Sequence, residues 1–241
     1  MLNQLLAALV GLVAGVGLRP VVVALAVPAG QPAGVTCPAC SPRPVPAWGP
    51  HALRLLPPGG HCPNCRARLC APWLPELTTA AAFAVVAAGG AAGWYAAAQY
   101  WIALLGAGLL LIDSAVQRLP NLLTLAAAVG TLVLLTVASA HQEAGSLLRA
   151  VTVAAAAGGL FTVLALCGMG LGDAKLALSL GAMLGWRSRQ AAVLALLLTY
   201  LLGATMAVVL LLTRRGHRKS TLAFGPFLII GTLGAALITS S

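Results

Sequence analysis

Residues 109–125 read LLLIDSAVQRLPNLLTL. An apolar run closes on Asp113, a short polar stretch containing Arg118 follows, and Leu119 and Pro120 lead into a second apolar run beginning at Asn121. This reads as the end of one membrane span and the start of the next, each span needing about 20 apolar residues. The rest of the chain supports that reading. Of its 241 residues 60% are hydrophobic and only 7% charged, more apolar surface than one soluble core can hide. Apolar runs near 4–27, 76–95, 98–114, 121–140, 147–167, 174–186, 189–212 and 222–239 predict an all-α integral membrane protein of about eight transmembrane helices. The sixth run is short, and no internal repeat is visible.

The expected organisation is a first transmembrane helix over 1–27, a loop over 28–75, and a seven-helix membrane core over 76–241. The first run is taken as a retained span, because it lacks a basic start and exceeds the usual apolar core of a signal peptide. The basic residues orient the chain. With the 28–75 loop in the cytoplasm, Arg43, Arg54, Arg66, Arg68, Arg118, Lys175, Arg214, Arg215, Arg218 and Lys219 share that side, with Arg19 near it. Arg149, Arg187 and Arg189 fall opposite. That asymmetry is what the positive-inside rule predicts, so the net charge of +10 is a topology signal and calls for no nucleic acid. Membrane lipid is the expected contact of RRGHRK, residues 214–219.

The chain has four acidic residues: Glu76, Asp113, Glu143 and Asp173. Glu143 lies in the short HQEAGS connection and reads as a solvated loop charge. Glu76 follows Pro75 at a span start, where the helix dipole favours a carboxylate. Arg19, this close to a span, must snorkel or find a partner. Asp113 closes the third span and Asp173 opens the sixth, so the topology puts both at the cytoplasmic edge of the bilayer. Each either marks a span end beside Arg118 or Lys175, or lines a working cavity, as carboxylates in membranes tend to.

Two facing carboxylates suit one reaction well. They cannot both ionise easily, so they share a proton. One then activates water as general base while the other polarises a carbonyl as general acid. GMGLGDAKLA, residues 168–177, adds Gly168, Gly170 and Gly172, which open backbone conformations closed to other residues and permit close approach of another chain. Lys175 either tunes Asp173 or anchors the helix end.

The loop carries its own signal. CPAC, with Cys37 and Cys40, and CPNC, with Cys62 and Cys65, are separated by 21 residues, the spacing of a two-knuckle structural zinc site. Four thiolates close the coordination sphere and leave no open position for catalysis. Cys70 is an alternate ligand or a reduced thiol, His51 and His61 are not required, and Cys167 reads as a small packing residue.

Gly170, Leu171, Gly172 and Asp173 form a Gly-x-Gly-Asp motif that resembles the signature of the type IV prepilin peptidases, which are intramembrane aspartic proteases. Asp113 ahead of Leu119 and Pro120 resembles the family's first aspartate. FGPFL, residues 224–228 with Gly225 and Pro226, resembles its closing motif, and PELTTAAAF, residues 75–83, its segment opening the second span. The family often carries two Cys-x-x-Cys pairs in this loop. The resemblance implies an endopeptidase of the bacterial cytoplasmic membrane, its zinc loop and active site towards the cytoplasm. Its implied substrates are prepilins or pseudopilins, cut just after a glycine by an Asp113/Asp173 dyad.

The N-terminal region departs from the family. Members usually open with a Ser-Phe-Leu-Asn-Val stretch and an Arg-Leu-Pro turn, where this chain has GLRPVVVALAV at 17–27. Their Trp-Tyr-Asp-Asn-Ile-Pro segment is replaced by residues 41–61, which hold no acidic residue. In the family that region is associated with methylation of the new N-terminus. S-adenosylmethionine is therefore expected as a cofactor only if this second activity is retained. Asn121 stands where an aspartate often follows the Leu-Pro turn. Two other classes compete. A proton-coupled transporter or channel would also use paired carboxylates, and a membrane-anchored zinc module would use the basic loop but leaves both aspartates unexplained.

Overall fold

The computed structural model describes residues 1–27, 33–37, 39, 41–45, 61–62, 65–67, 71–168, 170–213 and 223–239, with the backbone alone at 35–37 and 41–45. Among these residues the helices are α1 (Leu2–Leu25), α2 (Leu74–Ala88), α3 (Gly93–Val116), α4 (Asn121–Ala140), α5 (Leu147–Leu166), α6 (Leu171–Arg187), α7 (Arg189–Leu212) and α8 (Gly225–Ile238). Each of the predicted apolar runs is a helix. Five of them, α1, α3, α4, α5 and α7, are long and apolar enough to cross a membrane, which makes this a multi-pass membrane protein.

The boundaries of α2, α6 and α8 differ from expectation for local reasons. α2 begins at Leu74, inside the expected loop, and stops at Ala88, because Gly89 and Gly90 follow and Gly90 takes a left-handed φ of +66°. α6 starts three residues early, at Leu171, so Asp173 lies within its first turn. α8 starts at Gly225, with Pro226 in the first turn, where a missing N–H costs nothing.

The all-α expectation needs one amendment. Within the cysteine loop, β1 (Val35–Cys37) pairs antiparallel with β2 (Ser41–Val45), matching Val35 to Val45 and Cys37 to Ser41. Val35 and Thr36 favour extended backbone. Pro42 and Pro44, two residues apart in β2, remove N–H groups from the same edge, as suits a strand with one partner.

α3 is the central helix: 72% of its membrane-length window is buried, against 17% for α7. Small residues let neighbours approach. A methyl added at Gly11 of α1 would meet the Ala80 backbone of α2 at 2.7 Å, and one at Gly181 of α6 would stand 3.1 Å from the Ala154 Cα of α5. With lipid as apolar as the side chains, such close backbone packing is what holds helices together. Large apolar residues of α7, among them Leu197, Leu201 and Val208, point outward.

The ends are fastened by polar groups. Arg19 of α1 is fully buried and forms a two-point ion pair with Glu76 of α2, Nε donating to Oε1 at 2.8 Å and Nη2 to Oε2. The snorkel-or-partner question for Arg19 thus resolves to a partner. Glu143 overturns its reading as a solvated loop charge. Its carboxylate accepts the N–H groups of Trp94 (2.7 Å) and Tyr95 (3.0 Å), capping α3 from 49 residues away. Arg149 donates from Nε to the Gly185 carbonyl at 2.8 Å and from Nη2 to that of Trp186, closing the C-terminus of α6.

Candidate active site

α3 ends where Gln117 takes a left-handed φ of +51° and donates its N–H to the Asp113 carbonyl at 2.8 Å. Leu119 and Pro120 then reverse the chain into α4. Asp113 therefore sits in the last turn of α3, at the negative end of that helix, while Asp173 sits in the first turn of α6, at a positive end. The field of α3 is offset by a third helix: the Gly225 N–H, at the start of α8, donates to Asp113 Oδ2 at 3.1 Å. Both carboxylates are buried, Asp113 5% exposed and Asp173 7%. They line the same cavity of about 810 Å³.

The cavity wall is made by three chain reversals: the α3–α4 turn with Leu119 and Asn121, the glycine segment with Gly170 and Gly172, and Phe224 ahead of α8. The glycines divide the work. Gly168 takes a φ of +109°, open to few other residues. A Cβ at Gly172 would lie 2.8 Å from the Cβ of Leu119, so this glycine sets the fit of α6 against the α3–α4 turn. Gly170 is exposed and caps α6, its carbonyl accepting the Asp173 N–H at 3.1 Å. Gly168 and Gly170 are both exposed along the cavity, and neither would bring an added Cβ into a close contact, so both have the open flank expected of substrate-facing residues.

Lys175 lines the cavity but donates to Asn121 Oδ1 at 2.7 Å, tying α6 to α4, and makes no ion pair with Asp173. Asn121, set aside on the sequence, is thus part of the site. Gly225 acts through Asp113, since a Cβ there would crowd Oδ2 at 2.8 Å, and Pro226 lies behind it in the first turn of α8. The sequence reading also missed Phe224, whose ring is fixed among Phe161, Tyr200 and Phe227 at centroid distances of 6.1, 5.5 and 6.3 Å. Its only sequence signal was its place in FGPFL.

Of the expected zinc ligands, Cys40 and the side chain of Cys37 lie outside the described residues, as do Cys70, His51 and residues 214–222. Cys62 is buried and Cys65 exposed. They share a tight turn in which the Arg66 N–H donates to the Cys62 carbonyl and the Cys62 N–H to that of Ala67, each at 2.9 Å. Cys167 is exposed at the end of α5, not a packing residue.

The model of the type IV leader peptidase family matches residues 100–208, a range containing both aspartates. The prepilin leader peptidase/N-methyltransferase of Aeromonas hydrophila is 33% identical over 176 residues, 71% of this chain and 60% of that protein. That of Aeromonas salmonicida is 32% identical over the same shares, and the protein of that name from Pseudomonas aeruginosa is 33% identical over 207 residues, 80% of this chain and 68% of the relative. The chain thus spans about 60% of the length of the Aeromonas relatives. No solved structure matches it. With a relative this similar over more than two thirds of both chains, and a family match across the two-aspartate core, the chain belongs to the type IV leader peptidase family.

Proposed function

We propose that the chain is an intramembrane aspartic endopeptidase that removes the N-terminal leader of type IV prepilins or pseudopilins at the cytoplasmic face of the bacterial inner membrane. The observation that carries this reading is the meeting of Asp113 and Asp173, 60 residues apart in sequence, as two buried carboxylates in one cavity at one end of the bundle. Water between them loses a proton to one carboxylate and adds its oxygen to the scissile carbonyl, while the other, protonated, donates to the carbonyl oxygen. Collapse of the tetrahedral intermediate breaks the C–N bond and returns a proton to the leaving amine. The pair acts as a unit, and acid and base are not divided between its members. The Gly225 N–H on Oδ2 holds Asp113 in one orientation throughout.

Basic cytoplasmic loops would not attract a basic leader, so recognition rests on the apolar helix of the substrate, packed among the spans with its leader junction at the cavity. The four thiolates of Cys37, Cys40, Cys62 and Cys65 would hold a structural zinc, and the shared turn of Cys62 and Cys65 fits that use. Methylation of the product through S-adenosylmethionine, named in the relatives, is a separate activity. The acid-free segment 41–61 weighs against it. The test is to incubate membranes containing the parent chain with a prepilin and determine product masses. A product beginning immediately after the leader glycine, without an added methyl group, is expected. An uncleaved prepilin alongside proton-driven ion flux in liposomes would favour the transporter reading instead.

A further inference from the structure

The end of the bundle opposite the aspartates holds a cavity of about 510 Å³ into which Arg149, Arg187 and Arg189 all face, together with Ser146 and Ser188. Three arginines on this side run against the charge asymmetry of the chain, so a local reason is needed. Among the described residues no carboxylate lines the cavity, and the one acid of the neighbouring connection, Glu143, is engaged by the N-terminus of α3. Arg149 is pinned to the wall by its bonds to the Gly185 and Trp186 carbonyls, and Arg187 lies over the Tyr95 ring at 5.9 Å. Ser146 and Ser188 cap the N-termini of α5 and α7, so two positive helix ends meet here against the one negative end of α6, whose carbonyls Arg149 already engages.

A second feature fixes the kind of anion. The basic cavity shares Thr152 and Arg189 with an apolar groove of about 430 Å³ between α5 and α7, whose walls include Ala156, Leu160, Val193 and Leu196. A positively charged pocket at the membrane end, continuous with an apolar channel along the helices, matches a molecule with a phosphate at one end and a hydrocarbon chain at the other. We propose that an anionic phospholipid binds here, its phosphate among Arg149, Arg187 and Arg189 and one acyl chain in the α5–α7 groove. Because α5 and α7 both pack on α6, such a lipid braces the helix that carries Asp173.

The experiment is native mass spectrometry of the full chain in detergent, with phosphatidylglycerol or phosphatidylcholine of identical chains added, and with inorganic phosphate as competitor. Phosphatidylglycerol should be retained in preference to phosphatidylcholine. The double variant Arg187→Gln/Arg189→Gln should retain it about thirtyfold less, as expected for the loss of two interfacial arginines. Val193→Trp, which fills the groove while all three arginines are kept, should lower occupancy by both lipids. Its melting temperature in detergent reports that the fold is intact, and it keeps the test decisive if the arginine variant does not fold. Equal retention of the two lipids, or a Val193→Trp variant that binds as the parent does, overturns the proposal. Displacement of phosphatidylglycerol by millimolar inorganic phosphate overturns it too, by showing a site for free anions.

Discussion

Asp113 and Asp173 sit in opposite helix fields, and what makes them a pair is the crowding of backbone around them. Gly225 is the sharpest case. Its N–H bonds Asp113 Oδ2, and a Cβ there would come within 2.8 Å of the same oxygen. Gly225→Ala should therefore displace the Asp113 carboxylate. Cleavage should fall by about 10²-fold, because a small misplacement of a catalytic group suffices for that, while the melting temperature moves little. A circular-dichroism melt beside a cleavage assay checks both. Gly172→Ala acts differently. It pushes α6 away from Leu119, so it should cost stability as well as activity, in the about 1–3 kcal/mol range of overpacking. At this scale the sequence revealed the aspartates, since a carboxylate in an apolar run is conspicuous. It could not reveal Asn121 or Phe224, whose roles depend on which loops meet: Lys175 reaches Asn121 across 54 residues.

At the scale of elements, the helices are held in axial register from their ends. Glu143 caps α3 and Arg149 closes α6, both from the 141–149 region at the end remote from the site. The two helices that carry the aspartates are therefore fixed at the far end, and their lengths set where the carboxylates stand. Glu143→Ala should destabilise by about 1–2 kcal/mol, the worth of a helix cap, and a thermal melt in detergent measures it. The Arg19–Glu76 pair joins α1 to α2 in the interior. Removing one partner leaves a buried charge, so Glu76→Ala should cost about 3–5 kcal/mol. The double change Arg19→Met/Glu76→Leu should recover most of that, because an apolar pair of similar volume needs no desolvation. The helices themselves were legible as apolar runs. The contacts at their ends were not, because a lone Glu in a polar connection looks the same whether it caps a distant helix or faces water.

The whole molecule is a membrane bundle whose connections sort by end. The α3–α4 turn, the glycine segment before α6 and the segment before α8 meet at the site, while the 141–149 region and the α6–α7 junction meet opposite. That alternation follows from counting spans, which is why the proximity of the aspartates could be expected from sequence. The β1–β2 pairing could not, since prolines in SPRPV argue against a strand until an edge is available. The same alternation places the described cysteines Cys62, Cys65 and Cys167 at the aspartate end. A membrane-impermeant maleimide should therefore label the chain in inverted vesicles and not in intact spheroplasts. The central claim is the dyad, and its most direct measurement is prepilin cleavage by Asp113→Asn and Asp173→Asn variants beside the parent, with melting temperatures matched. The account predicts that each variant loses about 10²–10⁴-fold in rate while remaining folded. A folded variant of either kind that cleaves at the parental rate would contradict it.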